Sequence, residues 1–590
     1  MTSFRFLNPE LTVTQDCRLV IKGFFMKKHV IKQKPAKVRN LKELVEQGAR
    51  DFGDLPHYYY KENGTVVPYT RKQIRDAVNE FGTAFATLGI MGENIAIIGD
   101  THPYYMPVYY AAAIGGGAAV PLDKELDDAA IAGFANIAKV AAIVYTESFN
   151  KRIPEIAKLL ETVKYFIPLS PDADLMPSDN YIGVSDIFER GRKAIDEGNN
   201  TFIDHNPDRE KMAALLFTSG TTGTSKGVML SHKNLAAAAN ACVEAMAFTE
   251  TDTFVSVLPM NHSYETTTEH LAMYLLGCST YINDSIKNVI RNFNYFKPTT
   301  LLLVPLFVET MHKRIWKEID KKGIRKKVEF AIKLSNTLRK VGIDLREKLF
   351  KDIKNAFGGN LRTIVCGGAP LSKKLIEDFD AFGIEILEGF GITECSPLVA
   401  VNRAGKRKFG SVGPAVLGCE VKIDKNEGEK TGEILVKGDN VMMGYLNNPE
   451  ATAEVFTEDG WFRTGDLGYM DKDGYVYITG RKKNLIILSN GKNIFPEEIE
   501  EHLSHNEIIA ESVVIARNND AGEPVISAVI FPNYELCEGK TKEEIFDMVK
   551  AAVEATNKQL PTFKHIQNIE LRETEFEKTT TRKIKRFLIK

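Results

Sequence analysis

Little in this chain would staple it, anchor it in a bilayer or draw it to a polyanion. Its seven cysteines (Cys17, Cys242, Cys278, Cys366, Cys395, Cys419 and Cys537) are scattered over 590 residues, and no two form a Cys-x-x-Cys pair. That spacing excludes a disulfide framework and a structural zinc site of the usual kinds, and it points to a reducing compartment. No apolar run approaches a membrane span; the longest, such as residues 299–308, fall far short. With 76 Lys and Arg against 78 Asp and Glu, the formal net charge is −2. Charge balance therefore gives no global reason to expect nucleic acid. Arg5, Asp16, Arg18 and Lys22 interrupt the early apolar runs, so no signal-peptide pattern is visible. Internal repeats and low-complexity tracts are also missing. The expectation is a soluble cytoplasmic protein, ordinary at 44% hydrophobic and 26% charged residues. It is too long for one core, so two or more domains are expected.

What is present is concentrated between residues 216 and 230. Thr218, Ser219, Gly220, Thr221, Thr222, Gly223, Thr224, Ser225, Lys226 and Gly227 follow one another there, with apolar, β-prone runs on either side. Glycines let backbone N–H groups converge on one point and let a ligand approach closely. The hydroxyls add donors and Lys226 adds a positive charge, so the loop reads as a receptor for polyphosphate. It is not a Walker A loop, because Ser225 precedes the lysine and Gly227 follows it. The bland alternative is a polar loop with no ligand.

Around this loop, short apolar strands alternate with helix-like stretches. Residues 74–88 and 104–113 have helical spacing, whereas 93–99, 142–146, 165–168, 253–258, 300–304, 363–366 and 385–387 read as strands. That alternation predicts an α/β fold of mostly parallel sheets with helices on both faces, and ligands beyond the carboxyl ends of the strands. Residues 410–480 change to short strands and tight turns, a β-rich subdomain. From Arg481 onward the pattern is α+β, which puts the main boundary at 480–483. The expected domains are 1–480 and a small, mobile C-terminal domain, 481–590. Two basic stretches stand out. Residues 18–42 carry nine Lys and Arg and no acid, and residues 312–354 carry 15 against six acids. A solvated edge and a pair of surface helices are the preferred readings, with membrane contact the sharper alternative.

Further patches follow in order. Cys366, Gly367, Gly368, Ala369 and Pro370 end a strand with backbone that can lie along a flat base. Residues 388–394 place Phe390, Thr393 and Glu394 together; the ring can stack on a purine, and the carboxylate can take a hard cation such as Mg²⁺. Asp466 follows a glycine and can accept both hydroxyls of a ribose. Arg481, Lys482, Lys483 and Asn484 stand at the domain boundary, and a basic, hydroxyl-rich tail closes the chain.

In order and spacing this set resembles the adenylate-forming superfamily of acyl-CoA synthetases, adenylation domains and luciferases. Within it, residues 258–265, 480–484 and 490–500 look most like the long-chain fatty acid–CoA ligases. The resemblance implies ATP-dependent activation of a fatty acid through an acyl-adenylate and transfer to coenzyme A, with Mg²⁺ as cofactor. It implies that residues 218–227 hold the β- and γ-phosphates and that Thr218 and Glu394 share the metal. Gly368, Ala369 and Phe390 would flank adenine, Thr393 would touch the α-phosphate, and Asp466 and Arg481 would hold the ribose. His262 matches the histidine at the acyl/CoA junction, Lys483 the hinge, Gly491 the border of the CoA tunnel, and Lys583 the lysine that drives adenylation. Arg582 departs from the pattern, since relatives usually carry Gly before that lysine. Two alternatives stay open: a ligase passing another acid to a carrier-protein thiol, and a catalytically weak relative that binds nucleotide or acyl ligands. A lipid substrate also makes peripheral contact with the inner face of a membrane an expectation.

Overall fold

The computed structural model of the protein describes residues 34–62, 64–170, 179–218, 225–489, 492–519, 522–578 and 584–589. Its largest sheet runs in the order Gly444–Tyr445, Lys226–Ser231, Met212–Thr218, Ala119–Leu122, Asn94–Ile98, Val140–Tyr145, Tyr165–Pro168. From Met212–Thr218 to Tyr165–Pro168 every neighbour is parallel. All six residues of Val140–Tyr145 are buried, as expected of a parallel sheet covered on both faces. At the other edge the parallel expectation fails: Lys226–Ser231 runs antiparallel to Met212–Thr218, and Gly444–Tyr445 antiparallel to Lys226–Ser231. The reason is length. A parallel return needs a crossover of a dozen or more residues, and only seven separate Thr218 from Lys226.

A second sheet places Thr300–Leu303, Thr363–Gly367 and Glu385–Gly391 in parallel, closed by the antiparallel Leu398–Val401. A third holds Thr65–Thr70, Pro56–Glu62, Ser279–Ile282 and Thr253–Ser256. The strand-and-turn texture of 410–480 forms an antiparallel sheet of Cys419–Asp424, Gly432–Gly438, Phe462–Met470 and Val476–Arg481. The helices between strands follow the apolar spacing. In Arg71–Thr87, Thr70 and Gln73 form a capping box, and Ile74, Ala77, Val78, Phe81, Ala84 and Phe85 are buried along one side. Gly191 of the neighbouring helix Val184–Asp196 is there for contact, because a Cβ on it would stand 2.1 Å from the Glu80 carbonyl oxygen.

Beyond Arg481, Ile486, Ile494, Ile499, Leu503, Val514, Ile530 and Val549 pack into a cluster of their own. The sheet Ile509–Asn518, Pro524–Pro532, Asn568–Leu571 supplies part of it, and the helices Pro496–Ser504 and Lys542–Asn557 supply the rest.

Beside the third sheet lies a buried polar turn that sequence patterning does not reveal. Residues Thr266–Leu271 are wound as a π-helix, a geometry common at functional sites. Glu265, Thr267, Glu269 and His270 are fully buried there. Ser256 Oγ donates to Glu265 Oε1 at 2.5 Å, and Tyr58 Oη lies 2.9 Å from His270 Nδ1. Burial raises both carboxyls above the usual range, with Glu269 adding to the effect on Glu265. Burial also lowers the His270 imidazole to about 3. His270 Nε2 approaches Glu265 Oε1 to 3.7 Å. Because these carboxyls titrate above their unfolded value of 4.5, their contribution to stability is complete below that pH. It is lost as pH rises through the raised native values. Glu269→Gln should accordingly flatten the fall of melting temperature on the alkaline side while changing little in acid. Calorimetry of both proteins across the pH range checks this, and parallel curves would count against it.

Candidate active site

The strands that flank the loop of hydroxyls and glycines, Met212–Thr218 and Lys226–Ser231, pair antiparallel at the edge of the large sheet. Ser219, Gly220, Thr221, Thr222, Gly223 and Thr224 lie outside the described residues, but both stems are in place. Thr218 ends one strand and pairs in register with Lys226, which opens the next. The Thr218 hydroxyl lies 3.5 Å from the Lys226 carbonyl oxygen. Lys226 and Gly227, expected in the loop, are strand residues.

Tyr445, which the sequence motifs do not single out, ties this hairpin to the acidic motif. Lys226 Nζ stands 4.7 Å from the centre of the Tyr445 ring, and the Tyr445 hydroxyl donates to Glu394 Oε1 at 3.0 Å. The backbone repeats the link: Met442 N–H donates to the Glu394 carbonyl at 2.8 Å, Met443 to Met229 at 3.0 Å and Leu446 to Gly227 at 2.8 Å. Burial and the Glu394 carboxylate push the Tyr445 phenol up, so it remains a donor. The only sequence signal for Tyr445 is a Gly-Tyr pair after an apolar run.

Thr393 and Glu394 sit in the short turn Thr393–Cys395 just past the strand Glu385–Gly391. That strand runs on beyond the 385–387 expected, so Phe390 is a strand residue, 8% exposed and packed in the main core. Gly368, with φ +92°, and the exposed Ala369 follow the neighbouring strand Thr363–Gly367. His262 caps the turn Ser263–Glu265. Next to it, Tyr264 donates to the Val365 carbonyl at 3.1 Å, and its ring covers Gly367. His262 is thereby held near the strand end that carries Gly368.

Asp466 and Arg481 pair in register on adjacent strands. Arg481 Nε lies 2.7 Å from the buried Asp466 carboxylate. Burial raises the Cys395 thiol, and Cys419, Glu394 and Asp466 raise it further. Lys483 occupies the short turn Lys482–Asn484 directly after Arg481. Gly491, Arg582 and Lys583 lie outside the described residues. The base of the segment carrying Lys583 is closed by pairing of Lys578 with Ile584, and the Lys585 N–H donates to the Glu577 carbonyl at 2.8 Å. Thr218, Lys226, Tyr445 and Glu394 bring hydroxyls, a lysine and a carboxylate together at the edge of the large sheet, which suits a nucleotide with a hard cation.

The AMP-binding enzyme family matches residues 45–446, and the AMP-binding enzyme C-terminal domain matches residues 483–589. A long-chain-fatty-acid–CoA ligase of Mycobacterium bovis, FadD15, is 31% identical over 416 residues, covering 64% of this chain and 67% of that protein. The human long-chain-fatty-acid–CoA ligase 1 is 29% identical over 504 residues, 80% of this chain and 70% of the relative. Among solved structures, the anthranilate CoA ligase AuaEII in complex with anthranoyl-AMP superposes with a TM-score of 0.74 at 20% identity. It covers 94% of this chain and 96% of that one. With these matches spanning most of its length, the chain belongs to the AMP-binding enzyme family.

Proposed function

We propose that this protein activates a fatty acid, most simply a long-chain one, through an acyl-adenylate and transfers the acyl group to coenzyme A. The Tyr445 junction carries the reading, since it brings Thr218, Lys226 and Glu394 to one place. The names of the relatives, fatty acyl–CoA ligases, favour the acid and the acceptor. In the first half-reaction a carboxylate oxygen attacks the α-phosphorus of ATP, the bond to the bridging oxygen breaks, and pyrophosphate leaves. Two anions must meet while charge builds on the leaving oxygen, so fixed donors and cations are the main source of rate. Thr218, residues 219–224 and Lys226 would hold the departing phosphates. Thr393 would face the α-phosphate, and Lys583 would offset charge between it and the carboxylate. Gly368, Ala369 and the edge of Phe390 would border adenine, and Asp466 with Arg481 would hold the ribose. The donors fit magnesium, because Glu394 and Thr218 offer hard oxygens and this ion is commonly held by one or two protein ligands plus phosphates. Bound there, it would neutralise phosphate charge.

In the second half-reaction the thiol of coenzyme A attacks the mixed anhydride and AMP departs. His262 would stand at that junction, Gly491 would border the thiol's path, and a swing about Lys483 would clear Lys583 away. This assigns residues 1–480 and 481–590 to two domains, the second moving on the first. A bilayer is the natural reservoir of the acid, so peripheral membrane contact belongs to the same proposal; among the described residues no helix is long and apolar enough to cross one.

The test is ATP–pyrophosphate exchange over acids from acetate to stearate plus benzoate, followed by coenzyme A consumption with the best acid. Exchange with a long chain and thioester formation are expected. Exchange without coenzyme A turnover would move the acceptor to a carrier protein, and no exchange with any acid would overturn the enzyme reading. Lys583→Ala should lower exchange by ~10²–10³ while sparing thioester formation from supplied acyl-adenylate. Tyr445→Phe keeps the ring but removes the hydroxyl donating to Glu394. A hydrogen bond to a charged group contributes about 1.5 kcal/mol, so the KM for ATP at limiting magnesium should rise about tenfold. Steady-state kinetics over a magnesium series checks this, with an unchanged KM as the adverse result.

A further inference from the structure

The helix Arg325–Arg339 turns a mixed face outward. Val328 is buried, and Ala331 and Ile332 pack against the core of the second sheet. The opposite face is not purely polar, as a solvated helix would be: Phe330 is 68% exposed and Leu334 41%. The chain leaves the helix at Gly342 (φ +83°), where the Gly342 N–H donates to the Arg339 carbonyl and the Ile343 N–H to the Leu338 carbonyl. Val341 and Ile343, on either side of that stop, are 72% and 48% exposed. At about 100° per residue, Lys326, Lys327, Phe330, Lys333, Leu334 and the C-cap Lys340 fall within an arc of about 140°. The apolar side chains lie in the middle of that arc and the lysines at its two margins.

Electrostatics on this face are one-sided. Among the described residues, Lys326, Lys327, Lys333 and Lys340 make no ion pair, whereas the flanking acids are committed. Asp320 pairs with Arg325 at 2.5 Å, Asp344 with Arg346 at 2.6 Å, and Asp380 with Arg339 at 2.7 Å. Glu329 is the sole acid within the helix, at the margin of the arc. Exposed aromatic and aliphatic side chains framed by unpaired lysines form the pattern of a helix lying in a membrane interface. There the apolar groups enter the acyl boundary and the ammonium groups meet anionic headgroups. We propose that this face docks the protein on a bilayer containing anionic lipid. The inference rests on the fatty-acid reading only for the benefit of docking, since the acid partitions into the same bilayer.

The test is co-sedimentation of the full-length protein with phosphatidylcholine vesicles, with and without phosphatidylglycerol, at low and high salt. Binding to the anionic vesicles that weakens in salt is expected. Replacing Lys326, Lys327, Lys333 and Lys340 by Glu should lower partitioning about a thousandfold or more, since the separate contributions of the four lysines near such a surface multiply. The double variant Phe330→Ser, Leu334→Ser should lower binding while keeping its salt dependence. Thermal unfolding and ATP–pyrophosphate exchange with a water-soluble short acid should stay unchanged in both. Vesicle binding by folded variants at the wild-type level, or no binding by the wild type, would overturn the proposal. Sedimentation is read without turnover, so failure of the ligase reading in the exchange assay would leave this result interpretable.

Discussion

One tyrosine joins parts of the chain that have no local reason to meet. Lys226 opens a strand of the large sheet and Glu394 lies in the turn after a strand of the second, and Tyr445 reaches both, with its ring against the ammonium and its hydroxyl on the carboxylate. It does so because Gly444–Tyr445 adds as a last, two-residue strand to the edge of the large sheet. An edge would otherwise present unpaired N–H and C=O groups. Here those groups fix the register of a side chain that orients two charged ones. A lysine and a glutamate left to find each other in water would gain little. Held apart by a buried ring, each remains available to a third charged partner, which a nucleotide with its cation would be.

The helical segment that begins after His262 depends on a buried charge. Arg71 is fully buried, and its guanidinium donates to the carbonyls of Tyr274 (2.8 Å), Leu55 (3.2 Å), Pro56 (3.2 Å), Met273 (3.2 Å) and Cys278 (2.6 Å). Burial lowers it to about 10, so it stays charged at neutral pH. A buried arginine without acceptors would be costly; here it gathers the carbonyls where the helical segment beginning after His262 comes to an end. The segment is therefore pinned by Arg71 at its far end and by Tyr264 on Val365 at its near end. His262 stands at the near end of this doubly fixed element.

The strands and helices of the α/β scaffold were legible because their apolar periodicity is strong and their ends carry glycines and caps. The hairpin and the Gly-Ala turn were found at strand ends for the same reason. Tyr445 was not legible: a tyrosine after a glycine means nothing until the edge pairing shows what it touches. The strand that carries Phe390 runs beyond 385–387 because strand length is set by partners, here Leu398–Val401, and not by local residues. The inward turn of Glu265 and Glu269 has no sequence signal, since sequence alone does not show that a π-turn carries them inward. The charge excess of residues 312–354 was plain, but composition cannot tell whether Phe330 and Leu334 face the core or the solvent.

The placement of Arg481 bears on how a two-stage site can move. Arg481 is the last residue of its strand and stays paired with Asp466 through sheet register as well as through its side chain. Lys482 is tied back to the same sheet, its ammonium 2.9 Å from Glu433. Asn484, two residues on, donates instead to Glu497 at 2.6 Å, in the helix Pro496–Ser504 of the C-terminal cluster. The change of allegiance falls between Lys482 and Asn484, at Lys483. On the proposed reading, rotation there would leave the ribose-holding pair undisturbed while sweeping the segment around Lys583 away. The nucleotide could then stay bound through a large rearrangement, because the residues proposed to hold it end two positions before Lys483.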